Sequence, residues 1–306
     1  MPKIDNPFRR PPPRHALFRF VSIFAGTLWI TAGIAQRAPE AFKPATVPPL
    51  RGIAHVAIRV KDMDASLDFY HKLGFERPFE IRSGDVPTEA FLKINDRQFI
   101  ELYPADERNP QPGFLHLCFE GDDLNLLHDA YVAEGLTPIA VRKAGAGNLL
   151  FTLQGPLQYE VPQNIEYTQY MPGSRHSSDF GQHLGPDRVG DRMVVVALAM
   201  HDPAAARAFY VEKLGFSQSK ENPGRLNLPG SSGEQVEIVP ATELGAHSSI
   251  LLSTPDLNKA EAQLKRQQVA YRRAASKTTD GTSNPRTVDM IGVADPDGNI
   301  IRIEQR

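Results

Sequence analysis

The chain has 306 residues, 41% of them hydrophobic, and 34 basic against 36 acidic side chains give a formal net charge of −2. With no basic surplus to neutralise phosphates it is not expected to bind nucleic acid, and a single cysteine, Cys118, excludes an intrachain disulfide. The length suits two ordinary domains that each bury a core, and a small-molecule substrate is the expected partner.

The N-terminus departs from this average. Arg9, Arg10, Arg14 and Arg19 precede the apolar run FVSIFAGTLWITAGIA, residues 20–35. That run is shorter than the ~20 residues of a spanning helix, and Gly33-Ile34-Ala35 offers small residues at the positions a signal peptidase reads. A signal peptide or N-terminal anchor is expected at 1–35. The protein is then exported, periplasmic or extracellular, and touches a membrane only if the segment stays uncleaved as an anchor. Residues 36–51, with KPATVPPL, read as a tether.

Four segments then repeat one plan. Each opens on an alternating strand: IAHVAIRV (53–60), FLHLCFEG (114–121), MVVVALAM (193–200) and SSILLSTP (248–255). Asp62, Asp123, Asp202 and Asp256 follow, where a helix N-cap would accept backbone N–H bonds. The helices carry Leu67 and Tyr70, Leu127 and Tyr131, Ala206 and Tyr210, and Ala260 and Leu264 at helical spacing. Gly74, Gly135 and Gly215 stand where three of them would end. The closing strands are expected at QFIELY (98–103), LQYEVP (157–162), EQVEIV (234–239) and NIIRIE (299–304).

Each unit is thus βαβββ, about 50 residues, and too small to bury its own sheet face, so units must pair. The fold class is α+β: four βαβββ modules in two domains, each a cupped mixed sheet with helices outside. The expected bounds are a first domain at 52–163, a polar linker rich in glycine, serine and proline at 164–191, and a second domain at 192–306.

Side chains two apart on a strand share a face. Ala54, Val56, Ile58 and Val60 suit packing under a helix, which leaves His55, Ala57 and Arg59 on the other face. His116 and Cys118 oppose Leu115, Leu117 and Phe119; Glu101 and Tyr103 oppose Ile100 and Leu102; Glu160 opposes Tyr159 and Val161. Each half of the first domain therefore offers one histidine on its first strand and one glutamate on its last, away from the helix. Two imidazoles and two carboxylates converging in a cup would suit one divalent metal ion. Cys118 reads as a small buried thiol, and His71, His128, His176, His183 and His201 as surface groups.

In this order HVAIRVKDMDASLDFYHKLGF, FIELYP, LHLCFEGDD and DPDGN resemble the vicinal oxygen chelate superfamily, over roughly 52–163 and 192–306. Its members include glyoxalase I, methylmalonyl-CoA epimerase, extradiol dioxygenases and bleomycin resistance proteins. The resemblance to glyoxalase I implies that His55, Glu101, His116 and Glu160 hold the metal (Ni, Co, Zn, Mn or Fe). It also implies that Glu160 is the catalytic base and Arg59 binds substrate; Tyr103 is a further substrate-binding candidate. The implied activity is that of a lyase or isomerase moving a proton on a small vicinal-oxygen substrate through an enediolate held by the metal. A resemblance to extradiol dioxygenases instead implies His55, His116 and Glu160 around Fe(II), and one to bleomycin resistance proteins implies ligand binding without turnover. Ala105 stands where glyoxalase I has a glutathione-contacting asparagine, which argues against lactoylglutathione. In the second domain Val195, Glu237, Ser249 and Arg302 fall at the four ligand positions. That half is expected to be a degenerate copy without a metal site.

Overall fold

The computed structural model describes residues 44–158, 160–279 and 285–306. The expected signal or anchor at 1–35 lies outside the described residues, as does the start of the tether. No described helix is long and apolar enough to cross a membrane.

The four repeats fold as four modules. The first is β1 (Leu50–Val60), α1 (Met63–Lys72), β2 (Glu76–Ser83), β3 (Val86–Lys93) and β4 (Phe99–Pro104). The second is β5 (Gly113–Gly121), α2 (Leu124–Ala133), β6 (Arg142–Lys143), β7 (Leu149–Gln158) and β8 (Val161–Gln169). A short helix, α3 (Arg175–Ser178), precedes the third, which runs β9 (Arg192–Met200), α4 (Pro203–Glu212), β10 (Ser217–Gln218), β11 (Arg225–Asn227) and β12 (Gln235–Pro240). After α5 (Ala241–Leu244) the fourth runs β13 (Ser249–Thr254), α6 (Leu257–Arg266), β14 (Arg272–Thr279), β15 (Pro285–Ala294) and β16 (Ile300–Gln305).

The four aspartates cap as their position predicts. Asp62 accepts from the Ala65 N–H, Asp123 from Leu126, Asp202 from Ala204 and Ala205, and Asp256 from Asn258 and Lys259. Gly74 closes α1 at φ +87°, a left-handed conformation open to glycine, and so turns Phe75 into the core. Within each module the first and last strands pair in parallel, as β1 with β4 and β5 with β8, while β1 and β5 join the two modules antiparallel. β9 and β13 join the second pair of modules in the same way.

Two corrections concern boundaries. The last strand of the second module is β8, not 157–162, and it runs to Gln169, inside the segment expected to be linker. The described part of the tether is not free, because Ala45 N–H bonds to the Val211 carbonyl at 3.0 Å and Leu50 N–H to Pro229 at 2.8 Å.

Buried polar groups clasp the two halves. The Gln98 amide donates to the Met193 carbonyl at 2.9 Å and accepts from the Met193 N–H at 2.7 Å, while also donating to Glu234 at 3.1 Å. Gln98→Leu keeps the volume but orphans a buried N–H and C=O. It is expected to lower unfolding free energy by about 2–4 kcal/mol in urea titration. A loss under ~1 kcal/mol would show that the clasp is dispensable.

Candidate metal centre

Strand register builds the centre. Across the β1/β5 seam His55 faces Cys118 and Ala57 faces His116. On the flanks Glu101 of β4 stands beside Ala57, and Glu166 of β8 stands beside Cys118. The local twofold relation between the modules therefore exchanges His55 with His116 and Glu101 with Glu166. All four are buried, with helix-side apolar residues beneath them.

The His55 and His116 Nε2 atoms lie 3.0 Å apart, and a Glu166 oxygen lies 3.5 Å from His55 Nε2. Ligand atoms of His55, His116 and Glu166 all fall within 4.8 Å of one another. Burial holds the His55 pKa below its usual value and that of His116 well below, so both rings are neutral at pH 7. Two neutral imidazoles with their ε nitrogens together and a buried carboxylate beside them form a donor set for a borderline divalent cation, and these residues fit one.

Glu101 stands differently. One of its oxygens is 3.0 Å from His55 Nδ1, on the ring edge away from Nε2, without hydrogen-bond alignment. It falls outside the group of three whose ligand atoms lie within 4.8 Å of one another. Tyr103 donates to it at 3.3 Å. Burial pushes Glu101 up to about 8, and burial together with the Glu101 charge pushes neighbouring Glu89 to about 8; a hydrogen bond between the two carboxyls shares a proton. Burial raises Glu166 to about 7, against the pull of His55.

Glu160 does not reach this centre. It sits exposed in the turn between β7 and β8, and Glu166, six residues on, faces into the cup. The β7/β8 ladder has an irregularity between Gln154 and Leu157, and β7 continues to Gln158, so the expected closing strand at 157–162 falls on the end of β7, the turn after it and the start of β8. Alternation in NIEYTQ was the available signal, since Ile165 and Tyr167 are buried in the core and flank Glu166.

Arg59 stands beside Tyr103 in the β1/β4 register, with Nη1 donating to the Gln111 carbonyl at 3.5 Å. Tyr103 does line the cavity beside the centre, which has a volume of about 150 Å³ and is also lined by His55, Glu89, Glu101, Glu166 and His176. Cys118 is fully buried, and burial raises its thiol pKa well above the ordinary range, so it stays protonated. His176 is 2% exposed and is not the surface group its sequence context suggests. In the second domain Arg302 donates to Glu237 at 3.0 Å, and Arg225 lies 3.5 Å from the same carboxylate. Guanidinium groups there supply positive charge beside a carboxylate at the equivalent position.

Paired βαβββ modules around a two-histidine, one-glutamate cluster define a chelate-type fold. Residues 52–161 and 192–303 match the Glyoxalase/Bleomycin resistance protein/Dioxygenase superfamily, and the chain belongs to that superfamily. No curated protein matches by sequence. Among solved structures, it is similar to the Mn(II)-bound glyoxalase from Novosphingobium aromaticivorans, with 16% identity and TM-score 0.61 over 85% of this chain and 83% of that one. It is also similar to the 2,3-dioxygenase LapB from Pseudomonas sp. KL28, with 15% identity and TM-score 0.58 over 85% and 94%. Homoprotocatechuate 2,3-dioxygenase from Arthrobacter globiformis is similar at 16% identity and TM-score 0.56 over 87% and 83%. At such identities the likeness is one of fold.

Proposed function

We propose that the chain is a metal-dependent lyase or isomerase that moves a proton on a small substrate chelating through adjacent oxygens. His55, His116 and Glu166 hold the ion, and Glu101 is the base. A divalent ion there would supply Lewis-acid stabilisation of negative charge on a substrate oxygen.

One observation carries the reading: a buried carboxylate outside the ligating cluster, Glu101, lines the same cavity as His55 and Glu166. Standing outside that group, it is placed to take a proton from carbon. Tyr103 steadies it at 3.3 Å, and Glu89 lies against it to accept or return that proton. The raised pKa suits a base that works near neutral pH. A cavity of about 150 Å³ is below the usual range for drug-sized ligands and favours a small substrate.

In deuterated water with saturating metal, the protein should exchange the carbon-bound proton of small α-hydroxycarbonyl compounds. Glu101→Gln should slow the exchange by about 10²–10⁴-fold. Exchange at the wild-type rate in this variant would remove Glu101 from the mechanism. A two-histidine, one-carboxylate set is also the pattern of non-haem Fe(II) oxygenases, which gives a second reading as an extradiol-type dioxygenase. Oxygen uptake with catechols by the Fe(II)-loaded protein, absent proton exchange, would favour it.

A further inference from the structure

The segment between the two domains is anchored on the first domain's cup. Lys93, fully buried on β3, donates to Asp179 Oδ2 at 2.8 Å and to the carbonyls of Asp179 and Gln182 at 2.6 and 2.7 Å. The Arg175 N–H bonds to the Ala146 carbonyl at 2.8 Å, and the Gly181 N–H to Asp96 at 2.7 Å. These ties run across β3 and the loop before β7, and they set α3 over the cavity.

α3 carries His176 into an aromatic cage. Its ring stacks on Tyr170 at 4.4 Å and meets Phe79, Phe91 and Phe99 edge-on at 5.0, 5.3 and 4.9 Å. The ring lines the same cavity as His55 and Glu166, and neither of its nitrogens has a hydrogen-bond partner among the described residues. Asn148 lines it too. Its amide donates to Thr168 at 2.6 Å, and its buried carbonyl oxygen has no partner among them. A phenylalanine would fill such a cage at no polar cost, whereas a buried imidazole with two unpaired nitrogens beside a cavity offers hydrogen bonds to whatever polar group occupies it.

We propose that α3 holds His176 as part of the active-site wall, and that His176, with Asn148, hydrogen-bonds a polar atom of the substrate beyond its chelating oxygens. This rests on the metal-centre reading above. The substrate class it selects is small and flat, with a donor or acceptor group opposite the chelating pair. His176 contacts substrate and does not hold the ion.

The test uses the full chain loaded with Co(II), with acetohydroxamate, a small vicinal-oxygen chelator, as probe. Metal content is measured by elemental analysis and probe affinity by titration of the Co(II) visible spectrum. His176→Phe should keep Co(II) at the wild-type level and melt at or above the wild-type temperature. Its probe affinity should fall by about tenfold, the equivalent of ~1.4 kcal/mol. His176→Gln should recover at least part of that loss, which a purely packing role would not produce. Probe affinity within about twofold of wild type in the phenylalanine variant overturns the inference and leaves the metal centre intact. If the wild-type protein itself binds no Co(II), the metal-centre reading fails and takes this inference with it.

Discussion

Glu166→Ala is expected to lower divalent metal affinity by more than about 100-fold, beyond the range for loss of an orienting neighbour, while Glu160→Gln leaves it unchanged. Glu166 is 9% exposed and 3.5 Å from His55 Nε2, whereas Glu160 is exposed on a turn. Removing a ligand carboxylate deletes both a donor atom and the charge that offsets the cation in a buried site. Glu101→Gln should fall between them, losing about 10–100-fold, because its carboxylate touches the far edge of a ligand ring. Calorimetric titration of Mn(II) or Co(II) into the four proteins reads all of this at once. If Glu160→Gln loses metal and Glu166→Ala keeps it, β8 does not pair with β5 in the register that turns Glu166 into the cup.

Much of this architecture is legible in the chain because it is local. A capping aspartate contacts N–H groups two or three residues on, and the glycine that ends a helix acts at its own φ, so all four caps and Gly74, Gly135 and Gly215 can be read directly. Alternation likewise puts His55, Glu101 and His116 on the cup face. What sequence could not supply is non-local. Pairing with β8 carries β7 on through Gly155-Pro156, which leaves Glu160 in the following turn and brings Glu166 beside Cys118. His176 sits in a glycine- and serine-rich stretch that reads as linker. Its burial depends on Lys93, 86 residues before Asp179, whose own burial is legible only once Asp179 and Asp96 are placed beside it.

The metal-free protein is expected to lose about 2 kcal/mol between pH 6.5 and 8, a fall of roughly 4–8 °C in melting temperature. Below that window, burial holds His55 and His116 under their usual pKa and His176 at about 3. In that range these histidines carry protons only in the unfolded chain and make stability rise with pH until free histidine loses its proton near ~6.5, while the buried carboxyls carry protons only in the folded chain and pull the other way, so the two effects largely offset. Above it, the unfolded carboxylates are already ionised, while the shared Glu89–Glu101 pair at about 8 and Glu166 at about 7 still hold protons in the folded state. The folded chain now binds more protons, so stability declines through those values and levels off once they are passed. A bound divalent cation reverses this second limb, because Glu166 must ionise to bind and the ion's charge favours ionised neighbours. Metal uptake at pH 6.5 should therefore release protons, seen as a dependence of the binding enthalpy on buffer ionisation enthalpy. Stabilisation by metal should also be larger at pH 8 than at pH 6.5. A metal-free melting temperature that stays level or climbs from pH 6.5 to 8 would mean that these carboxylates are ionised without the ion, and the cup would then need another source of positive charge.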